Sequence, residues 1–327
     1  MALTSLVKIT LFFALFVVVM GVYTRLSDAG LGCPDWPGCY GQLSVPSKVE
    51  DISRAEKVFP ERPLETKKAW LEMIHRYVAG TLGLLILWIL IICLKTTDAP
   101  KKLPLLLAAL VIFQAALGMW TVTMKLMPIV VMGHLLGGFA LLSLLILLYL
   151  RVKPLNINGR DYRCKQLAPL ATFALGLLIL QIILGGWTSA NYAALSCTIL
   201  PFCEGDWINN LQMTKAFSPF QGNHKSFEFG VLDYASRMTI HVSHRIGAIV
   251  TALTLIYLVL RIMKLSISRT IRGGAKVLTL LLATQILLGI FNVVFHLPLG
   301  IAVLHNLTAA LLLMTMVFIN YAIWRKA

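Results

Sequence analysis

Four histidines lie in apolar runs, where a chain seldom carries an ionisable side chain. His75 and His244 are each followed by an arginine, and His134 and His305 sit one to two turns into two further runs. A single histidine on an apolar helix reads as a hydrogen-bonded core residue. Four of them, paired by the repeat described below, read as ligands, because imidazoles facing each other across a helix bundle can hold a haem iron from both sides. Glu72 precedes His75 by three residues and so shares its helix face. A carboxylate in an apolar site can shuttle protons or stabilise a cation on a substrate. The plain alternative is a helix N-terminal acid stabilised by the macrodipole. Two C-x5-C pairs complete the set, Cys33 with Cys39 and Cys197 with Cys203. Each is read either as a structural staple or as a redox pair, since the spacing lacks the short interval of zinc sites. Cys93 and Cys164 have no evident partner in the sequence.

These residues recur. Gly21-Val-Tyr-Thr24 leads to Cys33 and Cys39, and Gly185-Gly-Trp-Thr188 leads to Cys197 and Cys203. His75-Arg76 matches His244-Arg245, Gln114-Ala-Ala-Leu-Gly118 matches Gln285-Ile-Leu-Leu-Gly289, and His134 matches His305. Glu72 falls opposite His241, so only one half has a carboxylate beside its histidine pair. Such a repeat is expected to give two four-helix bundles in the same membrane orientation, residues 1–155 and 156–327, related by an axis along the membrane normal.

The elements that must position the set are transmembrane helices. Of the 327 residues, 58% are apolar and 13% charged, and the mean hydropathy is +0.81. Soluble, disordered and collagen-like classes are excluded. Eight apolar stretches run roughly over 7–24, 72–94, 104–123, 129–150, 167–187, 241–261, 277–295 and 299–324, giving an all-α integral membrane protein. The first reads as a span rather than a signal peptide, being long and without an Ala-x-Ala-like site. The loops on the side of the termini carry 16 of the 29 basic residues and only 2 of the 14 acids, which makes that side cytoplasmic. The net charge of +15 belongs to this asymmetry and not to nucleic-acid binding. All four histidines then lie close to the outer leaflet, and both cysteine pairs lie in outer loops, where disulfides persist.

At these residues the sequence resembles the haem A synthase family, the bacterial and mitochondrial membrane enzymes that convert haem O to haem A. The resemblance rests on Gly30-Leu-Gly-Cys33-Pro-Asp-Trp-Pro-Gly-Cys39-Tyr-Gly41, on Glu72-Met-Ile-His75-Arg76, and on Gly133-His134, His244-Arg245 and His305-Asn306. It implies two successive hydroxylation-like oxidations of a haem methyl group to an aldehyde, by an oxidoreductase acting on CH or CH2 groups. It implies haem b held by His244 and His305 as cofactor, haem O handled by His75 and His134, and Glu72 essential. It associates Cys33 and Cys39 with redox or haem transfer on the outer face. Expected partners are haem O, membrane lipid, haem O synthase and an electron-transfer partner that no residue identifies, with self-association a further expectation. The outer segment Gly205 to Arg237, rich in aromatic residues, receives no role.

Other classes fit less of the pattern. A bis-His cytochrome that only carries electrons would place its haems at different depths. A thiol–disulfide oxidase leaves the histidines unexplained, and a parallel-repeat transporter leaves both histidines and cysteines unexplained. A zinc protease would need H-E-x-x-H, whereas His241-Val-Ser-His244 lacks the glutamate and the spacing.

Overall fold

A backbone in hydrocarbon must satisfy its own hydrogen bonds, so an apolar chain of this kind folds as helices. In the computed structural model, which describes residues 2–155 and 161–326, no strand occurs among the described residues. The helices are α1 (Leu3–Leu26), α2 (Val49–Val58), α3 (Thr66–Lys95), α4 (Lys102–Thr123), α5 (Pro128–Val152), α6 (Tyr162–Lys165), α7 (Ala168–Ala190), α8 (Met213–Ala216), α9 (Tyr234–Leu265), α10 (Arg269–Val294) and α11 (Leu299–Lys326). Eight of them, α1, α3, α4, α5, α7, α9, α10 and α11, are long and apolar enough to cross a membrane. Large side chains such as Phe12, Leu84, Ile112, Leu253 and Leu280 are exposed on them, which suits lipid and would be costly in water. The protein is a multi-pass membrane protein.

All eight expected spans are present, and several are longer than their apolar runs, most of all α3, α9 and α10, the last beginning at Arg269 where 277 is expected. The helix expected from residue 72 begins at Thr66, and the one expected from 241 begins at Tyr234. Polar residues continue these helices because they pack against loops. In the first case Gly32 lies so close to the Lys68 carbonyl and the Ala69 nitrogen that a Cβ there would approach within 2.6 Å of the Lys68 backbone. At the start of α9, the Asp233 carboxylate caps the helix by accepting from the Ser236 N–H at 2.8 Å and pairs with Lys215.

The chain forms two compact units. The first comprises Met1–Leu141 with Phe220–Val231, the second Leu142–Pro219 with Leu232–Ala327. The expected boundary at 155/156 adjoins residues 156–160, which lie outside the described residues. In the first unit α3 packs on α1 and α4. In the second, α7, α9, α10 and α11 close a ring, each packed on the next and α11 on α7. At one end of the second unit Asp161 is 3% exposed and holds the α9–α10 connection. Its carboxylate accepts from Ser266 Oγ at 2.6 Å, from the Ile267 N–H at 3.0 Å and from the Ser268 N–H at 3.3 Å, and it also caps α6 through the Cys164 N–H.

The aromatic outer segment divides between the units. Trp207 stacks on Phe202 at 5.5 Å, and the Ala216 carbonyl accepts from Trp187 Nε1 at 2.8 Å, both in the second unit. Phe227 is buried in the first unit, its N–H donating to the Lys125 carbonyl at 3.0 Å, and Glu228 pairs with Arg62 at 2.7 Å.

Candidate functional site

Both cysteine pairs are disulfide-bonded, and each closes a short loop that is hydrogen-bonded to a histidine-bearing helix. Each loop contains an X-Pro bond in the cis form, Trp36-Pro37 and Leu200-Pro201. The Asp35 carboxylate turns the first loop by accepting from the N–H groups of Tyr40 at 2.6 Å and Gly41 at 2.7 Å. Cys93 and Cys164 are free and buried.

What fastens the loops is an arginine that directly follows a histidine. Arg76 Nη1 donates to the carbonyls of Pro37, at 3.2 Å, and Gly38, while its Nη2 meets Glu72 at 2.5 Å. The other oxygen of Glu72 accepts from the Cys33 N–H at 2.9 Å. Arg245 does the same work on the second loop, donating to the carbonyls of Ile199 at 2.6 Å, Cys197 at 2.7 Å and Phe202. There His241 stands where Glu72 does: the Cys197 N–H points at its Nδ1 at 3.3 Å and Arg245 Nε at its Nε2 at 3.2 Å. A carboxylate accepts from both donors at once, whereas a neutral imidazole accepts at one nitrogen only. The sequence shows that each arginine follows a histidine but not that it holds a loop, because the carbonyls it reaches lie some forty residues away along the chain.

Glu72 is 5% exposed and lies six residues inside α3, whose first turn carries no acid. The macrodipole acts within the first turn. A helix-terminus role therefore does not account for Glu72; its partners are Arg76 and the Cys33 backbone.

The histidines come together as well. In the first unit the rings of His75 and His134 are perpendicular with centroids 6.5 Å apart, too far to stack and about the span of two imidazoles with one atom between them. Each of the four rings packs its edge on a glycine of a neighbouring helix: His75 on Gly21, His134 on Gly118, His244 on Gly185 and His305 on Gly289. At Gly21 a Cβ would come within 2.7 Å of His75 Cε1 and displace the ring, and at Gly185 a Cβ would stand 3.0 Å from His244 Cε1, a tight fit. These four glycines are the same ones that mark the sequence repeat.

The rings suit a haem. All four are partly accessible, so each offers atoms to open space and is not packed out. The Nδ1 atoms of His75, His134 and His305 are buried with no hydrogen-bond partner, so they are not the atoms these rings offer to open space. Two amides approach the second unit's rings: Gln181 Nε2 lies 2.9 Å from His244 Nδ1, and Gln285 Nε2 lies 3.2 Å from His305 Nε2. A cavity of about 330 Å3 opens between α7 and α9, lined by Gln181, Leu184, Ser243, Gly247 and Thr251 among apolar neighbours. Among the described residues there is no cluster of three or more histidine, cysteine or carboxylate side chains of the kind that holds a bare metal ion.

A family model for the COX15-CtaA family, described as cytochrome oxidase assembly protein, matches residues 4–317. The chain belongs to this family. A curated heme A synthase of Shewanella oneidensis is 62% identical over 327 residues, covering 100% of this chain and 98% of the relative. Heme A synthases of Neorickettsia sennetsu and Caulobacter vibrioides are 25% and 27% identical, over 91% and 90% of this chain. The match spans all eight long apolar helices, and a multi-pass membrane protein is consistent with the family.

Proposed function

We propose that this protein makes haem A, as the name of its relatives states for them, and that haem O is its substrate. The observation that carries the reading is the end-to-end match to a heme A synthase at 62% identity, joined to a histidine pair standing 6.5 Å apart beside a buried carboxylate. A bis-His cytochrome confined to electron transfer is not favoured, because the matching relatives carry the synthase name from end to end.

The finer assignment is as follows. His75 and His134 bind and orient haem O, holding it so that the methyl group to be oxidised faces the site. Glu72 lies one turn before His75, with one oxygen held by Arg76 and the other by the Cys33 N–H. Fixed in this way, it accepts a proton as the methyl carbon is oxidised, or stabilises positive charge developing on the substrate. The Cys33–Cys39 loop closes over the carboxylate. His244 and His305 would hold a b-type haem, which would supply one-electron transfer when bound. The enzyme is thus an oxidoreductase of a CH group, acting in two successive hydroxylations. It lies in the cell membrane with both termini cytoplasmic and both disulfide loops at the outer face, where haem O synthase and an electron-transfer protein are its partners.

The test is to extract and chromatograph the haems of cells that make haem O, with and without this chain. Haem A appearing only with the chain is expected. Unchanged haem O with no haem A overturns the reading.

A further inference from the structure

The two halves treat their first histidine differently. His75 Nδ1 has no partner. His244 Nδ1 lies 2.9 Å from the Gln181 amide, which also reaches the His244 carbonyl at 3.0 Å. The amide fits because residue 247 is glycine: a Cβ there would collide with Gln181 Oε1. Gln181 stands four residues before Gly185, the glycine under His244, and the residue four before Gly21, under His75, is Val17. Gly247 stands three residues after His244, and the residue three after His75 is Val78. At its first histidine the second half thus carries both an amide and the space for it, and at His75 the first half carries neither; the first half's amide, Gln114 seated on Gly137, serves the helix pair of His134 instead.

An imidazole that ligates a metal through Nε2 keeps its proton on Nδ1, and that N–H is ordinarily donated to an acceptor which fixes the ring and raises its basicity. Gln181 Oε1 is buried and has no hydrogen-bond partner. A half-turn of the amide exchanges oxygen for nitrogen without change of shape and brings an acceptor to His244 Nδ1. The exchange gives up the 3.0 Å bond to the His244 carbonyl, which keeps its partner within α9, and it requires the amide oxygen to draw back from that carbonyl.

We propose that Gln181 is a positioning residue that accepts the Nδ1–H of His244 and makes His244 the firmly held, strongly donating haem ligand that His75, with Val17 in the matching place, is not. This rests on the reading of His244 and His305 as ligands of a resident b-type haem. It goes beyond that reading by giving a physical reason why one half keeps its haem and the other exchanges it.

The experiment is spectroelectrochemical titration of the purified, haem-loaded protein. Gln181→Met keeps length and apolar fit and removes the acceptor. Ferric iron gains most from a basic imidazole, so the midpoint potential should rise. Losing an outer-shell partner costs about 10–100-fold in metal affinity. A tenfold loss borne by the ferric state alone corresponds to about 59 mV for a one-electron couple. Gln181→Glu, a stronger acceptor, should move the potential the other way, and Gln181→Val, which reproduces Val17 of the first half, should raise it as Gln181→Met does. A side chain that only fills space would leave the potential of the haem-loaded fraction unchanged in all three, and that result overturns the proposal. The parent reading fails separately: wild-type protein without b-type haem, or undiminished b-type haem in His244→Ala, overturns it whatever Gln181 does.

Discussion

Replacing Glu72 with histidine separates its two duties. In the second unit, His241 already occupies the equivalent place, between a cysteine N–H and an arginine, and the loop there is closed. Glu72→His should therefore keep the Cys33–Cys39 loop fastened while removing the carboxylate. The cost in stability follows from the donors. Glu72 accepts one charge-assisted hydrogen bond from Arg76 and one from the Cys33 N–H. A neutral imidazole satisfies one of these two donors, and a buried donor left unpaired costs about 1–3 kcal/mol. Glu72→Leu satisfies neither and strands the Arg76 guanidinium, which keeps only the Pro37 and Gly38 carbonyls. Breaking a buried pair on one side costs about 3–5 kcal/mol, a large part of the about 5–15 kcal/mol that holds a typical protein folded. Protease sensitivity of the first outer loop and titration of free thiols read the loop; chromatography of extracted haems reads turnover. Glu72→His should show a protected, oxidised loop and a loss of haem A of about 10²–10⁴-fold, the usual contribution of a positioned acid–base group. Glu72→Leu should lose both. Near-normal haem A from Glu72→His would show that the carboxylate does no chemistry. An opened loop in Glu72→His would refute the equivalence of Glu72 and His241.

Three further outcomes are expected. Cys33–Cys39, in a polar, turn-rich loop beside the substrate half, should exchange with a graded redox buffer at potentials where Cys197–Cys203 stays oxidised; thiol trapping with equal potentials for both pairs would remove the distinction. Burial, reinforced by the neighbouring Asp161, pushes the Cys164 thiol up to about 11 from its ordinary value, so its reactive thiolate is scarce below that pH. Folded protein should resist alkylation at Cys164 at pH 8 and react there once denatured, and rapid labelling of the folded form would contradict the burial. Asp161→Ala should lower the thermal midpoint clearly, because the Ser266 hydroxyl and the N–H groups of Ile267 and Ser268 lose a shared acceptor, each at about 1–3 kcal/mol if left unpaired; an unchanged midpoint would mean that water replaces the carboxylate.

Much of this architecture is legible in the sequence because lipid leaves a chain few choices. Apolar runs of the right length must be helices, and the repeat of glycine, histidine and cysteine landmarks identifies which histidines belong together. What escaped the pattern has a common cause. The amphipathic helix α2, Val49–Val58, lies in a polar loop where hydropathy gives no signal. The starts of α3 and α9 are polar and are held by contacts with loops rather than by propensity. The carboxylate of Glu72 reads from sequence as a group near a helix end, yet its second partner, the Cys33 N–H, comes from 39 residues away. Arg76 and Arg245 act on carbonyls, which carry no side-chain signature. Gln181 reads as one polar residue in an apolar run, and only the glycine opposite it on α9 gives it a place.

A division of labour between the two histidine pairs gives two purified variants opposite haem contents. His305→Ala should insert in the membrane and lose most b-type haem. His134→Ala should keep a low-spin, six-coordinate b-type haem and lose the bound haem O and haem A. Loss of b-type haem from His134→Ala, or its full retention in His305→Ala, would contradict the division.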